Sequence, residues 1–392
     1  MKISIESKYL NQALAAAGKA IESRPILPVL SHVLLCADTA KATLDISGTD
    51  LERFIVVHEQ GVGVEESGSL TVPWKLLKEL VATFRADKLV HLESGDDDRL
   101  TVKCGKAEAT LRGLPAKEFP NAPSVLSDSE LVSSFEPNDL AERLSQVAFA
   151  AATDESRSIL TGVFVESKAG DLAFVTADGF RLAVRKDPIE GAFKMLSGDG
   201  VSTGDGSFVM PGAIARDLIG LLADETDDVS LFMSPDNRAA YWRLADIDVV
   251  TQLLQGNYVN YRQIIPSNHT TRVIVNRAKL TAPLKSADLF VRDTHILRFE
   301  ISGDPNSPTG KLRIVAENSE TGNFDGDMSV SLDGEPVSIA FNSQFVQQAL
   351  DACGTDEVVL ELSGNTRPGV IRPNEKESRY LNVIMPMHLR EA

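Results

Sequence analysis

The stretch Gly200-Val201-Ser202-Thr203-Gly204 has the spacing of a nucleophile elbow, in which a serine on a sharp strand-to-helix turn attacks an acyl carbon. Such a serine needs a base, an orienting acid, a strand before it and a helix after it. Its surroundings, "SGDGVSTGDGS", lack apolar periodicity, and short patterns match by accident where Gly and Ser abound. The segment reads as a loop. Asn323, Asp325 and Asp327 alternate like calcium ligands, but Met328 stands where the tight turn needs glycine and no glutamate closes the loop. The histidines at 32, 58, 91, 269, 295 and 388 show no i, i+4 pairing and no HExxH. Cys36, Cys104 and Cys353 are far apart and odd in number, without zinc or redox spacing. No Gly-rich phosphate loop opens a helix. The expectation is a protein with no catalytic residue, no metal and no cofactor. A serine hydrolase using Ser202 is the enzyme alternative, and it offers no base at recognisable spacing.

Charge narrows the classes further. Against 39 basic residues stand 56 acidic ones, a net charge of −17. Such a surface repels phosphate, so a protein that grips nucleic acid with its whole surface is excluded. Any DNA role must be local or topological. The first residues, "MKISIESKYL", alternate like a strand, and no apolar run approaches the roughly 18 residues of a membrane span. A soluble protein of the reducing cytoplasm, away from membranes, is expected.

Stepping along the chain, "ISIESKYLNQALAAAG", "SSFEPNDLAERLSQVA" and "VIVNRAKLTAPLKSA" each read as a strand, a capping residue and an amphipathic helix. Leu10, Leu14, Ala17 and Ile21 share one helical face. So do Leu140, Leu144 and Val147, and Leu280, Leu284 and Ala287. A second strand and helix follows in "LTVPWKLLKELVATF", "FVMPGAIARDLIGLL" and "IAFNSQFVQQALDAC", with Pro73 and Pro211 expected to open two of these helices. Acid-led alternating strands come next: "DKLVHLES", "DDVSLFMS" and "DEVVLELS". The unit recurs about every 130 residues, too long for a solenoid. The fold class is therefore α+β: three similar domains in tandem, at residues 1–128, 129–265 and 266–392, with helices on one side of antiparallel sheet. Pro283 is expected to kink its helix.

Five strings occur in order along the whole chain: "SRPILPVLSHVLL", "SGTDLERF", "TADGFRLAV", "NYVNYRQIIP" and "VIMPM". Together with the triplication they make the chain resemble the bacterial DNA polymerase III beta sliding clamps. The resemblance implies the DNA clamp fold: a head-to-tail homodimer closed as a ring on double-stranded DNA, helices lining the hole and sheets outside. The implied function is that of a processivity factor, held topologically. It would be bound by the replicative polymerase, the clamp loader and repair proteins through a short peptide motif. A tandem-domain interaction scaffold without DNA is the alternative of another class, and ring closure separates the two.

The resemblance also assigns residues. A partner-peptide pocket would be walled by Leu160, Ala177, Gly179, Phe180, Arg181 and Leu182, with Val259 and Ile264. Val383, Ile384, Met385, Pro386 and Met387 would close it, with Pro368 nearby. Methionines suit such a site because they repack against differing partners, and Pro386 would keep the terminal strand from accepting a neighbour. Arg24 and Lys75 would face DNA. Edge strands around Leu111, with Lys103 and Lys106, would meet Leu289, Phe290 and the acidic stretch from Glu317 to Asp327 of a second copy. The chain departs from the family's common residues at Ala177, Phe180, Val259 and Gln263, which makes the pocket rim more apolar. Gly212, Ala213 and Asp154 depart likewise at positions often polar or basic, so weaker direct DNA contact is expected.

Overall fold

The computed structural model describes every residue except 23, 96, 122–128, 190–192, 197–201, 204, 305, 306 and 389–392. The first copy runs β1 (Lys2–Glu6), α1 (Ser7–Ala17), β2 (His32–Asp38), β3 (Thr43–Thr49), β4 (Arg53–Glu59), β5 (Gly63–Glu66), β6 (Gly68–Pro73), α2 (Trp74–Ala82), β7 (Leu89–Ser94), β8 (Arg99–Cys104) and β9 (Ala107–Arg112). The second runs β10 (Glu130–Phe135), α3 (Pro137–Ala148), β11 (Gly162–Lys168), β12 (Asp171–Ala177), β13 (Arg181–Pro188), β14 (Met195–Leu196), β15 (Ser202–Thr203), β16 (Gly206–Pro211), α4 (Gly212–Leu221), β17 (Val229–Met233), β18 (Ala239–Arg243) and β19 (Ile247–Gln252). The third runs β20 (Thr271–Asn276), α5 (Arg277–Asp288), β21 (Ile296–Gly303), β22 (Thr309–Asn318), β23 (Gly322–Gly334), β24 (Val337–Asn342), α6 (Ser343–Cys353), β25 (Glu357–Leu362), β26 (Gly369–Pro373) and β27 (Tyr380–Ile384). Strand, helix, strands, then strand, helix, strands is thus repeated three times.

The helices form where the apolar spacing puts them. Leu10, Leu14 and Ala17 of α1, Leu140, Leu144 and Val147 of α3, and Leu280, Leu284 and Ala287 of α5 are all fully buried. Ile21 does not join that face, because α1 ends at Ala17 and gives way to a 3-10 turn over Gly18–Ala20. Pro73 and Pro211 are the last residues of β6 and β16 rather than the first of their helices. There the strand ladder fixes their extended backbone, and the helix begins one residue later. The Trp74 indole N–H, at the start of α2, donates to the Leu14 carbonyl of α1 at 2.7 Å. Pro283 lies inside α5, which nevertheless runs unbroken to Asp288. Buried Leu280 and Leu284 on either side hold the helix to its sheet across the missing hydrogen bond.

Two compact units emerge from the contacts: residues 1–140, 191–203 and 217–253, and residues 141–190, 204–216 and 254–392. In the first unit lie a sheet ordered β5-β1-β7-β8-β9 and one ordered β10-β17-β18-β19-β4-β3-β2-β6. In the second lies a sheet ordered β16-β11-β12-β13-β27-β26-β25-β20-β23-β22-β21-β24. Every pairing in them is antiparallel. A rule relates the copies. The opening strand pairs with the last three strands in the order β1-β7-β8-β9, β10-β17-β18-β19 and β20-β25-β26-β27. The other four strands run β6-β2-β3-β4, β16-β11-β12-β13 and β24-β21-β22-β23. Copies are then joined edge to edge, β19 onto β4 with Val249 opposite Ile55, and β27 onto β13 with Val383 opposite Leu182.

The serine pattern lies mostly outside the described residues. Gly200, Val201 and Gly204 fall outside the described residues, and Ser202–Thr203 make a two-residue strand on Met195–Leu196. The calcium-like stretch is extended, in β23, with Asp325 paired to Arg313 and Asp327 to Lys311 across the ladder. Among the described residues no group of three or more metal-ligating side chains comes together, and no helix is long and apolar enough to cross a membrane.

Candidate functional site

An apolar cavity of about 80 Å3 opens on the second unit, lined by Leu160, Ala177, Gly179, Arg181, Leu182, Val259, Ile264, Val383 and Met385. Every one of these was singled out from sequence. Its floor is the sheet itself: Ala173, Val175 and Ala177 of β12, Leu182 and Val184 of β13, Val370 of β26 and Val383 of β27 form one buried cluster with Tyr261. Alternation along four adjacent strands puts these side chains on one face. The rim is left open, with Phe180, Val259, Ile264 and Met385 the exposed large apolar residues around it. A space below the ~150 Å3 that holds benzene admits one side-chain end, and the rest of a ligand would lie on that rim.

The turn between β12 and β13 shapes one wall. Asp178 Oδ1 accepts the amide N–H groups of Phe180 and Arg181 at 2.8 and 2.9 Å, an Asx-type turn. Gly179 has φ +93, and a Cβ there would come within 2.6 Å of the Arg157 guanidinium. Arg181 is held on every side. Its Nε donates to Asp178 at 2.9 Å and Nη2 to the Phe149 carbonyl at 2.8 Å, while Nη1 meets Gln348. The guanidinium carbon lies 4.4 Å from the Phe345 ring centre and 5.3 Å from that of Phe149. Burial pulls its pKa down and Asp178 pulls it back up, with the net shift downward. The charge is spent within the protein, so the cavity offers a ligand apolar surface rather than a free cation.

Five residues expected in the pocket are not part of its lining. Ile384 follows Val383 in β27, so it points through the sheet and lines a separate cavity with Phe299, Phe341 and Val346. Phe180 stands at the mouth, where its carbonyl accepts the Met385 amide at 2.8 Å. Pro386 and Met387 lie beyond the end of β27, and the Met387 amide donates to Ala340 at 2.8 Å. Pro386 guards no edge, since β27 is flanked by β13 and β26. Pro368 sits just ahead of β26, half-buried. The reading from sequence missed Asp178, Phe149 and Phe345, which hold Arg181, and also Tyr258, Tyr261, Arg262 and Glu166. The two tyrosines three apart in "NYVNYRQ" were the available signal.

Residues 1–123, 134–260 and 262–388 match in turn the N-terminal, central and C-terminal domains of the DNA polymerase III beta subunit. The chain belongs to the DNA polymerase III beta subunit family. It has three tandem clamp domains of α+β type with antiparallel sheets. It is 31% identical over 392 residues to the beta sliding clamp of Synechococcus elongatus, covering all of both chains. It is 27% identical to that of Synechocystis sp., covering 99% of this chain and all of the other. The DNA polymerase sliding clamp of Bacillus subtilis superposes with a TM-score of 0.86 at 24% identity over 99% of each chain. A sliding clamp of Pseudomonas aeruginosa bound to griselimycin gives 0.86 at 25%, over 99% of this chain and all of that one.

Arg24 and Lys75 are exposed, Arg24 beside exposed Ile26 and Leu27, Lys75 in the first turn of α2. Leu111 is buried in its own domain's core, so only the backbone edge of β9 is presented there. Lys103 pairs with Glu108 of the same hairpin at 3.5 Å, and Lys106 is exposed in its turn. Leu289 is exposed, whereas Phe290 is half-buried against Phe324. Glu317 is taken by Arg298, as Asp325 is by Arg313, which reduces the net charge the acidic stretch presents. Gly212 has no room for a side chain in place, because a Cβ would lie 2.5 Å from the Thr161 carbonyl oxygen. Asp154 instead caps the turn Glu155–Thr161, accepting the Ser156 amide at 2.9 Å.

Proposed function

We propose that two copies of this chain close head to tail into a ring around double-stranded DNA and carry partners on the apolar cavity. The chain is a DNA sliding clamp, a replication processivity factor and not an enzyme. The observation that carries ring closure is the joining rule of the sheets. Within the chain, the last strand of one copy docks on the β4-type strand of another, β19 on β4 and β27 on β13. The equivalent strands left over are β9 and β23. Among the described residues β9 pairs along its length with β8 alone, and β23 keeps a second edge free from Gly322 to Val330. An open edge seeks a strand, and β9 of one copy fits β23 of the next by the rule the chain already uses twice. Leu289 and Phe290, at the end of α5, would lie at that joint with Lys103 and Lys106 opposite.

Arg24 and Lys75 would face the DNA. With a net charge of −17, retention is topological rather than adhesive. The domains would span 1–128, 129–265 and 266–392, and the protein would work in the cytoplasm. The replicative polymerase, the clamp loader and repair proteins would share the cavity through a short peptide with large apolar side chains, Phe180 and Met385 contributing from the rim. Griselimycin, carried by the Pseudomonas aeruginosa clamp, is a second ligand to try. The experiment is retention on DNA after loading onto a nicked circular plasmid and a rise in salt. The protein should stay on the circle and leave once the plasmid is cut. Equal retention on circular and open-ended linear DNA would refute the ring.

A further inference from the structure

We infer that Glu166 is a positioning residue of the cavity: through Tyr261 and Arg262 it fixes the irregular segment that carries Val259 and Ile264, and so the width of the site for an apolar peptide. The inference rests on reading the cavity as a peptide site. Between β19 and β20 the chain forms no strand, and its one regular piece is the 3-10 turn Tyr261–Gln263. Yet this segment supplies two of the cavity's wall residues. A wall of irregular chain keeps its place only if side chains hold it.

Three contacts do so. The Tyr258 ring stacks on Phe164 of β11, centres 4.8 Å apart and planes 3° from parallel. Tyr261 is buried in the cluster under the cavity, and its hydroxyl donates to Glu166 Oε2 at 3.0 Å. The Arg262 guanidinium pairs with the same carboxylate at 2.7 Å and lies 4.6 Å from the Tyr261 ring centre. Glu166 stands on β11, paired on both sides with β12 and β16, a rigid base for both partners. From Tyr261 the backbone passes the position on: its N–H donates to Val259 at 2.8 Å, and its carbonyl accepts from Ile264 at 3.0 Å. None of Glu166, Tyr258, Tyr261 and Arg262 lines the cavity itself. Burial of Tyr261 and the nearby Glu166 charge both raise its phenol pKa, so the hydroxyl stays a donor at neutral pH.

The test uses the full-length chain and a labelled, uncharged hexapeptide containing two leucines and a phenylalanine, titrated at low and high salt. Met385→Ala reports on the cavity itself. Glu166→Ala should weaken the peptide about tenfold, the scale of one lost charge-assisted hydrogen bond, and speed amide exchange over residues 258–264. Glu166→Gln keeps an acceptor for Tyr261 and should restore most of the affinity. In the parent, the exposed half of the ion pair makes affinity for the uncharged peptide fall with salt, and in Glu166→Gln that dependence should vanish. If Met385→Ala weakens the peptide while Glu166→Ala binds like the parent, the peptide site stands and the positioning role is refuted. If the parent binds no peptide, both fail. Equal losses in Glu166→Ala and Glu166→Gln with a common drop in melting temperature would also overturn the inference, since the residue would then be merely structural.

Discussion

Val383 and Ile384 are consecutive in one strand and serve opposite faces of the sheet, Val383 the open cavity and Ile384 the core beneath α6. Truncating Ile384 should therefore touch stability alone, whereas Val383, buried in the cluster under the cavity, should touch both stability and binding. Ile384→Ala should cost about 2–5 kcal/mol of stability, read by chemical denaturation, with the affinity of the folded protein for an apolar peptide unchanged. Val383→Ala should weaken that peptide severalfold. Reversed outcomes would show that the cavity is not the binding face.

His58 of β4 bridges the joint with β19. Its Nδ1 lies 2.8 Å from Asp45 of β3 and its Nε2 3.4 Å from Asp248 of β19, which Arg243 of β18 also holds at 2.9 Å. Hydrogen bonds to Asp248 and Asp45 raise the imidazole pKa to about 9. Burial alone would raise Asp248, but the bonds from His58 and Arg243 bring it to about 2. A raised folded-state pKa gives stability that is complete below about 6.5 and lost as pH climbs through 9. With the side chain 34% exposed, the discounted contribution is about 1–2 kcal/mol. Neighbouring Glu59 acts in the same sense: burial, then the Asp246 charge, raise its pKa to about 7, so its ionisation also opposes folding as pH rises from 4.5 past 7. Melting temperature should fall from about pH 4.5 to 7 through Glu59 and from about 6.5 to 9 through His58, and the fall should flatten over both ranges in His58→Gln with Glu59→Gln. A decline of the same size in that double variant would place the titration elsewhere.

Asp178 holds both the turn and Arg181, so its replacement should reach the cavity wall. Asp178→Ala leaves two amides and a largely buried guanidinium without their acceptor and should cost about 2–4 kcal/mol. Arg181→Lys should be milder in stability, since it keeps a cation for Asp178, but not neutral, since an ammonium cannot fill the guanidinium's place between Phe149 and Phe345. Peptide titration and denaturation of both variants check this order.

Leu289 is the cleaner probe of the proposed ring joint, because Phe290 also packs on Phe324 of its own chain. Leu289→Asp should sediment as a folded monomer at micromolar concentration and lose retention on plasmid. A dimer of parental strength would place the interface away from α5.

The repeat was legible because α1, α3 and α5 each bury one leucine stripe, and periodicity reports such a stripe directly. Cavity walls were legible where they fall on the family strings, from Ala177 to Leu182 and at Val383. What escaped was set by register and by contacts distant in sequence. Strand alternation puts Val383 and Ile384 on opposite faces, but nothing in "VIMPM" says which of them meets the cavity; that follows from the pairing of Leu182 with Val383. Leu111 looked available because an edge strand exposes its backbone, while its side chain belongs to the core. Glu166 lies 95 residues from Tyr261 along the chain, and only the fold brings them together.

Among the described residues β27 follows every other strand in chain order, yet it lies between β13 and β26 near the middle of its sheet. During synthesis, then, a slot stays open between those two strands until the last of them leaves the ribosome. Val383 and Met385 arrive with it, so the cavity does not exist on a nascent chain. A chain made only as far as β26 would lack one wall of the proposed site, so a partner peptide could not yet be taken up.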